Sequence, residues 1–197
     1  MPELIRPTVR LGESFAEAID EFIAEGRGGP DDNSLTGDII RNFANRREGS
    51  TWVADFLEFE GRWETDPPEY FVPMSVYWWV EGDRYLGRIS IRHRLNQQLS
   101  DIGGHIGYDM RPSARRRGHA TAMLAAALPR AAELGIDRAL ITCDRDNVAS
   151  RKVIERNGGV YEDRRGKKLR FWVPTRPRGG GRPDRQEWLS GETRPVL

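Results

Sequence analysis

Apolar positions in the first part of the chain recur with the period of a helix. A spacing of three and four residues predicts an N-terminal helix, with Ser14 and Glu17 forming a capping box at its start. Its apolar face comprises Phe15, Ala18, Ile19, Phe22 and Ile23. Residues 26–33 interrupt the pattern, and a second short helix is predicted around 38–46. Residues 51–60 match neither period, so a strand and an irregular segment both remain open there.

The middle of the chain changes to the two-residue period of strands. Residues 71–80 and 85–92 alternate between apolar and polar positions around the turn sequence Glu-Gly-Asp-Arg at 81–84. This pattern predicts a β-hairpin, which would form the antiparallel half of a mixed sheet.

Two strand–helix units follow the hairpin. The helix of the first unit begins near Ala120 and ends at Gly135, and Pro129 is predicted to kink or break it. The strand and helix of the second unit cover 138–143 and 148–157. Because short connections join strand, helix, strand and helix, the two strands are predicted to be parallel neighbours.

An arginine-rich turn opens the helix of the first unit and carries the strongest candidate chemistry. It contains Arg115, Arg116, Arg117 and Gly118. Backbone N–H groups in the first turn of a helix lack intrahelical partners and lie at the positive end of the helix dipole. Gly118 lets the backbone approach a ligand closely, and Ala120 keeps the next turn small. The turn therefore predicts a diphosphate site, although the Lys and Ser or Thr of a nucleotide P-loop are missing after Gly118.

Three spaced patterns run through this region: Met110-x-Pro112-x-x-Arg115-x-x-Gly118-x-Ala120, Cys143-x-x-x-Asn147-x-x-Ser150, and Asn157-Gly158-Gly159. In these patterns the chain resembles the GNAT superfamily of acyl-CoA-dependent N-acetyltransferases. Two more resemble a bacterial subgroup of predicted acetyltransferases: Arg92-His93-x-Leu95-Asn96 and Gly103-Gly104-His105-Ile106-Gly107-Tyr108. The resemblance covers about residues 70–172.

The resemblance implies an α/β fold with a central mixed sheet, flanked by helices, in which two parallel strands splay apart. Acetyl-CoA is the implied cosubstrate, with its pantetheine arm pairing with the backbone near Met110 and its pyrophosphate bound by the amides of 116–120. Asn147 would contact the pantetheine from the other side, a role compatible with being the N-cap of its helix. The implied cofactor-binding residues are Met110, Arg115, Arg116, Arg117, Gly118, His119, Ala120, Asn147 and Ser150.

The implied reaction is direct transfer of the acetyl group to a primary amine of a small molecule or peptide, without a metal. Many GNAT relatives use a tyrosine to protonate the leaving thiolate, and it would fall at position 154, where this chain has Ile154. Tyr161, Ser150 or water are the alternatives for this step.

The candidates for the general base are histidines and acidic residues near the predicted site. Strand alternation places His105 and Asp109 on one face, and we rank His105 first and Asp109 second. His93 and His119 lie near the same region. A hydrogen-bonded core role for these histidines and a base relayed through water both remain open.

Composition favours one domain. The 197 residues, 38% of them hydrophobic, predict a single core in residues 1–173 and a flexible Pro-, Gly- and Arg-rich tail at 174–197. The lone Cys143 excludes an intrachain disulfide and indicates no metal cluster, which fits a reducing cytoplasm. No apolar run approaches the ~20 residues that span a bilayer, and the net charge of +1 gives no indication of nucleic acid or membrane as a partner. A monomer or a homodimer is expected.

Two other functions remain open. The absence of a tyrosine at Ile154 is compatible with a non-catalytic acyl-CoA-binding or regulatory module. A nucleic-acid-binding protein that uses Arg111, the arginines of 115–117 and the tail is less favoured, because no aromatic residues interleave with the basic ones on the turn.

Overall fold

A computed structural model describes residues 1–32, 34–44 and 51–176 of the chain. Its centre is a seven-stranded sheet with the strand order β1-β2-β3-β4-β5-β7-β6. The strands are β1 (Glu3–Ile5), β2 (Met74–Glu81), β3 (Arg84–Arg92), β4 (Ile106–Met110), β5 (Arg138–Asp144), β6 (Val160–Arg165) and β7 (Lys168–Pro174).

All neighbouring strands are antiparallel except β4 and β5, which are parallel. The parallel pairing is limited to one position, Ile106 opposite Ile141. Just before it, Gly104 has a positive φ of 68°, and a Cβ there would lie 2.5 Å from the Leu140 carbonyl oxygen. The two strands are therefore in close contact at one end of β4, while the rest of β4 pairs only with β3 in the described part of the sheet.

Helices cover both faces of the sheet, and each face has its own apolar cluster. They are α1 (Gly12–Ala24), α2 (Leu35–Asn42), α3 (Trp52–Arg62), α4 (His119–Glu133) and α5 (Val148–Arg156). The first three helices pack on one face, where Phe15 stacks against Trp78 with ring centroids 4.8 Å apart. Residues of α4 and α5, such as Leu124 and Ile154, pack on the other face against Ile106. The mixed, helix-flanked α/β sheet that was predicted is confirmed.

Several local predictions are wrong. The N-terminal helix begins at Gly12, and Ser14 lies within it, where its Oγ accepts a hydrogen bond from the Tyr85 N–H (3.1 Å) instead of capping the helix. Ile23 is 39% exposed, so the buried face ends at Phe22. Residues 52–60 belong to α3, with Thr51 at its N-cap, and form neither a strand nor an irregular segment.

The second and fourth helices also differ from expectation. α2 covers Leu35–Asn42, so residues 43 and 44 of the predicted range follow the helix, and residues 45–46 lie outside the described residues. Its N-cap is Ser34, whose Oγ accepts a hydrogen bond from the Gly37 N–H. Pro129 lies inside α4, which runs through it without a break. Among the described residues, no helix combines the length and apolar character needed to cross a bilayer.

Candidate active site

The site lies where β4 and β5 separate. α4 begins shortly after the end of β4, and α5 begins shortly after the end of β5, so both helix N-termini lie at the same edge of the sheet. Unpaired N–H groups and the positive ends of two helix dipoles therefore face this edge. Such an edge favours a bound anion.

A cavity of about 650 Å³ occupies this edge, between the first turns of α4 and α5. We call it the larger cavity. Of the predicted cofactor-binding residues, all line it except Arg117, which is exposed. Its volume lies in the range of small-molecule and cofactor sites.

The turn before α4 is held in a conformation that only a few residues adopt easily. Gly118, the N-cap of α4, has a φ of 83°, and a Cβ added there would meet no atom within 4 Å. Glycine is thus required by the backbone conformation and not by crowding. Arg116 also has a positive φ, 62°, which costs a non-glycine residue conformational energy.

Two arginines attach this turn to the rest of the molecule. The Arg115 Nε donates to the Met110 carbonyl oxygen (3.1 Å), and its guanidinium pairs with Glu25 at 2.7 Å. Buried Arg111 pairs with Glu21 of α1 at 2.7 Å. Arg115 is therefore occupied with positioning the turn.

The first turn of α5 forms the opposite wall. The Asn147 Oδ1 accepts a hydrogen bond from the Ser150 N–H (2.9 Å), so Asn147 is the N-cap of this helix. Across the cavity, the His119 Nδ1 accepts a hydrogen bond from the Trp79 indole N–H at 3.4 Å.

A second cavity of about 280 Å³ lies on the other side of the gap, and we call it the smaller cavity. Its walls include polar residues of β3 and the end of β5. The two cavities share four lining residues, Tyr108, Asp109, Asn147 and Ser150. The gap between β4 and β5 therefore joins a larger cavity at two helix N-termini to a smaller polar one.

Tyr108 was not among the predicted catalytic residues, yet it lies at the junction. Its hydroxyl is 2.8 Å from the Ser150 Oγ and so links β4 to α5 across the gap. Burial raises the pKa of Tyr108 to about 12, so the hydroxyl stays protonated at neutral pH. The signal in the sequence is a tyrosine two residues before Met110, on the same face of the strand as Met110.

Asp109 also lines both cavities. Its Oδ2 accepts a hydrogen bond from the Thr36 hydroxyl (2.8 Å), and its Oδ1 lies 3.6 Å from the Arg27 guanidinium. The carboxylate is therefore held in place from α2 and from the segment that follows α1.

The structure does not bring His105 to either cavity. Its Nδ1 accepts a hydrogen bond from the Leu140 N–H (2.9 Å), in the region where β4 and β5 are in contact. Burial, aided by the charge of Arg92, lowers the pKa of His105 to about 4. The ring therefore has the hydrogen-bonded core role and lies away from both cavities.

The two positions considered for the acid lie elsewhere as well. Tyr161 is on β6, more than half exposed, and its ring packs against Phe171. Ile154 is fully buried in the apolar cluster beneath α5 and lines neither cavity. In the described ranges, His, Cys, Asp and Glu side chains form no group of three or more that could hold a metal ion.

Comparison with solved structures shows the same fold in several acetyltransferases. The ribosomal-protein α-N-acetyltransferase RimL in complex with coenzyme A matches with a TM-score of 0.60 and 15% identity, over 88% of this chain and 94% of that chain. The PaiA N-acetyltransferase of Thermoplasma acidophilum in complex with coenzyme A gives 0.57 and 13%, over 88% and 99%. The microcin self-immunity acetyltransferase MccE, in complex with acetyl-CoA and AMP, gives 0.58 and 13%, over 88% and 92%.

Sequence comparison is more specific than these distant structural matches. No curated protein sequence matches significantly. Residues 33–160, however, match the family model of the acetyltransferase (GNAT) domain. This segment is well over half of the chain, and it contains both separating strands, both helices behind them and the turn at Gly118. The chain therefore belongs to the GNAT family of acetyltransferases.

Proposed function

We propose that this enzyme moves the acetyl group of acetyl-CoA directly to a primary amine, with the cofactor in the larger cavity and the amine in the smaller one. The observation that carries the proposal is the junction of the two cavities at Tyr108, Asp109, Asn147 and Ser150. A thioester reaching the junction from one side would meet an amine entering from the other.

The larger cavity supplies the groups that a coenzyme A molecule needs. The amides of 116–120, in the turn before α4 and at the start of the helix, would bind the pyrophosphate. The edge of β4 at Met110, which within the described sheet has no strand partner toward β5, would pair with the pantetheine arm. Exposed Arg117 would add positive potential outside the cavity wall.

In the reaction, the neutral amine attacks the thioester carbon, and the carbonyl oxygen becomes an oxyanion beside a backbone N–H near Met110. When the C–S bond breaks, the electron pair goes to sulfur. The protonated Tyr108 hydroxyl is suited to donate a hydrogen bond to this thiolate. The proton lost by the amine passes through water toward Asp109, whose carboxylate would also attract the incoming ammonium.

Cys143 lines the smaller cavity but is not proposed as an acetyl carrier. Burial and the neighbouring Asp144 raise the pKa of its thiol, so the nucleophilic thiolate is disfavoured. We therefore propose direct transfer without a covalent acetyl-enzyme.

The test is amine-dependent release of free coenzyme A from acetyl-CoA, measured on the full chain with a panel of primary amines. Tyr108→Phe removes only the hydroxyl at the junction, and kcat is expected to fall by about 10²- to 10³-fold with a nearly unchanged KM for acetyl-CoA. Tyr161→Phe is the matched control, because it removes the same group from an exposed site on β6. Equal kcat values for the two variants would contradict the role of Tyr108. The absence of any release across the panel would contradict the function.

A further inference from the structure

Three cationic side chains line the smaller cavity, and two of them have carboxylate partners. Arg88 forms a buried ion pair with Glu60, and Lys168 pairs with Asp144 at 2.9 Å. The third is Arg92, at the end of β3. No carboxylate in the described part of the chain lies within ion-pair distance of Arg92.

The contacts of Arg92 are neutral. One terminal nitrogen of its guanidinium lies 3.2 Å from the Gly104 carbonyl oxygen and 3.4 Å from that of Gly103. Burial, together with the charge of Arg88, lowers the pKa of Arg92 to about 10, so it remains a cation at neutral pH. A partly buried cation without a counter-ion is unfavourable unless a ligand supplies the negative charge.

The space in front of this guanidinium is open because position 107 is a glycine. Gly107 pairs with Ser90 in the sheet, and a Cβ on it would lie 3.7 and 3.9 Å from the two terminal nitrogens of Arg92. Any larger side chain at position 107 would extend into this space. Arg92 is thus accessible from the cavity that it lines.

Arg92 and Asp109 lie on the same face of the sheet, but Asp109 lines the junction of the two cavities and Arg92 is farther from it. Asp109 is opposite Arg88 in the register of β3 and β4. Arg92 is four residues farther along β3, which corresponds to about 13 Å of strand. An acceptor that reaches both groups needs several bonds between its amine and its negative charge.

We infer that Arg92 binds an anionic group of the acceptor, a carboxylate or a phosphate, and that the substrates are amines that carry this group several bonds from the nitrogen. The inference rests on the proposed function in one respect, because it takes the smaller cavity as the acceptor site. A planar guanidinium suits either anion through paired hydrogen bonds.

The kinetic test compares amines that differ only in the charge. The pairs are 6-aminohexanoate with 6-aminohexanamide, and 3-aminopropyl phosphate with 3-aminopropanol, each with acetyl-CoA. The wild-type enzyme is expected to favour the anionic member of at least one pair by about 10- to 100-fold in kcat/KM, mostly through KM. The pair that shows the preference distinguishes a carboxylate from a phosphate acceptor.

Arg92→Gln should remove this preference, because it lowers kcat/KM for the anionic amine much more than for its neutral counterpart. Arg94→Gln is the matched control, since it removes the same charge from an exposed position two residues away. Thermal unfolding of both variants checks that they fold. Equal activity of wild type on anionic and neutral amines would overturn the inference and leave the proposed function intact. An equal loss on both members of a pair in Arg92→Gln would also overturn it.

A binding measurement decides the case even if no amine in the panel is acetylated. The side-chain Nε–Hε signal of Arg92 in an NMR spectrum is identified by its loss in Arg92→Gln. In the enzyme loaded with coenzyme A, 6-aminohexanoate or 3-aminopropyl phosphate should shift this signal, whereas 6-aminohexanamide and 3-aminopropanol should not. No shift with either anion would overturn the inference. Failure of coenzyme A itself to bind would count against the proposed function instead.

Discussion

His105 and Tyr108 are three residues apart at β4, yet only the tyrosine reaches the gap. Strand alternation correctly predicts that His105 and Tyr108 point to opposite faces of the sheet. It does not predict where β4 leaves β5, because that depends on a single contact between Ile106 and Ile141 and on the close approach at Gly104. The histidine lies on the closed side of that contact and the tyrosine on the open side. Alternation alone therefore cannot tell which of the two side chains lines the gap.

The buried, neutral His105 makes a prediction about acid stability. The pKa of His105 is about 4 in the folded protein, whereas a histidine in an unfolded chain has a pKa near 6.5. Between pH 6.5 and pH 4 the unfolded state therefore binds a proton that the folded state does not. Stability should therefore fall as the pH drops through this window, by up to about 3 kcal/mol from this group. His105→Asn keeps an acceptor for the Leu140 N–H but does not titrate there.

The measurement is urea unfolding at pH 7 and pH 4. The difference in unfolding free energy between these pH values should be smaller in His105→Asn than in wild type. His119→Asn serves as the control at a partly exposed ring, and it should behave like wild type. The same pH dependence in His105→Asn and wild type would show that the ring is not buried as a neutral acceptor.

The sequence predicts helices and strands well where residues at their ends mark the boundaries, and poorly where the element depends on tertiary contacts. α4 and α5 have glycines at or just beyond their ends, and β5 is a short apolar run, so local sequence suffices. α3 has Trp52, Val53, Phe56 and Glu60 buried, and a charged Glu60 in that face hides the helical period. Only the ion pair with Arg88, 28 residues away, explains why a carboxylate is buried there.

The start of α4 supports a prediction about cofactor binding. Gly118→Glu places a negative side chain where the pyrophosphate is proposed to bind, at a position with free space around it. Acetyl-CoA at 100 times its dissociation constant should stabilise wild type by about 2.7 kcal/mol, and this stabilisation should be lost in the variant. Gly135→Glu is a matched control just beyond the other end of α4, with a φ of 80° and equally free space.

Thermal shift with and without acetyl-CoA measures the effect in all three proteins. Both variants carry the same charge and a similar cost of a non-glycine residue at positive φ, so only their response to the cofactor should differ. A wild-type response in Gly118→Glu would exclude this turn from the cofactor site.

At the scale of the whole molecule, one sheet supports both cavities. Its last two strands in the chain, β6 and β7, lie almost entirely beyond the segment matched by the family model, which ends at residue 160. β7 lies between β5 and β6, so the sheet is complete only at Pro174. Buried Thr175 extends these contacts through two hydrogen bonds. Its hydroxyl donates to the Ile136 carbonyl oxygen (2.6 Å), and its backbone N–H donates to the Asp137 carbonyl oxygen. We therefore propose that the folded domain extends slightly beyond the predicted boundary at residue 173. Most of the predicted tail, from residue 177 on, lies outside the described residues.

Two shortened chains test this boundary. A chain that ends at Arg176 keeps the Thr175 hydrogen bonds and loses only the Pro-, Gly- and Arg-rich segment, whose composition offers little apolar area to offset ordering entropy. Its melting temperature should equal that of the full chain. A chain that ends at Pro174 loses those hydrogen bonds at about 0.5–1.5 kcal/mol each, and its melting temperature should fall by several degrees. Equal destabilisation of the two shortened chains would contradict this expectation. Residues beyond 176, among which Trp188 and Leu189 are the most apolar, would then have to pack on the domain or on a second copy of it. Sedimentation of the full and shortened chains would then distinguish the two, because only packing on a second copy changes the oligomeric state.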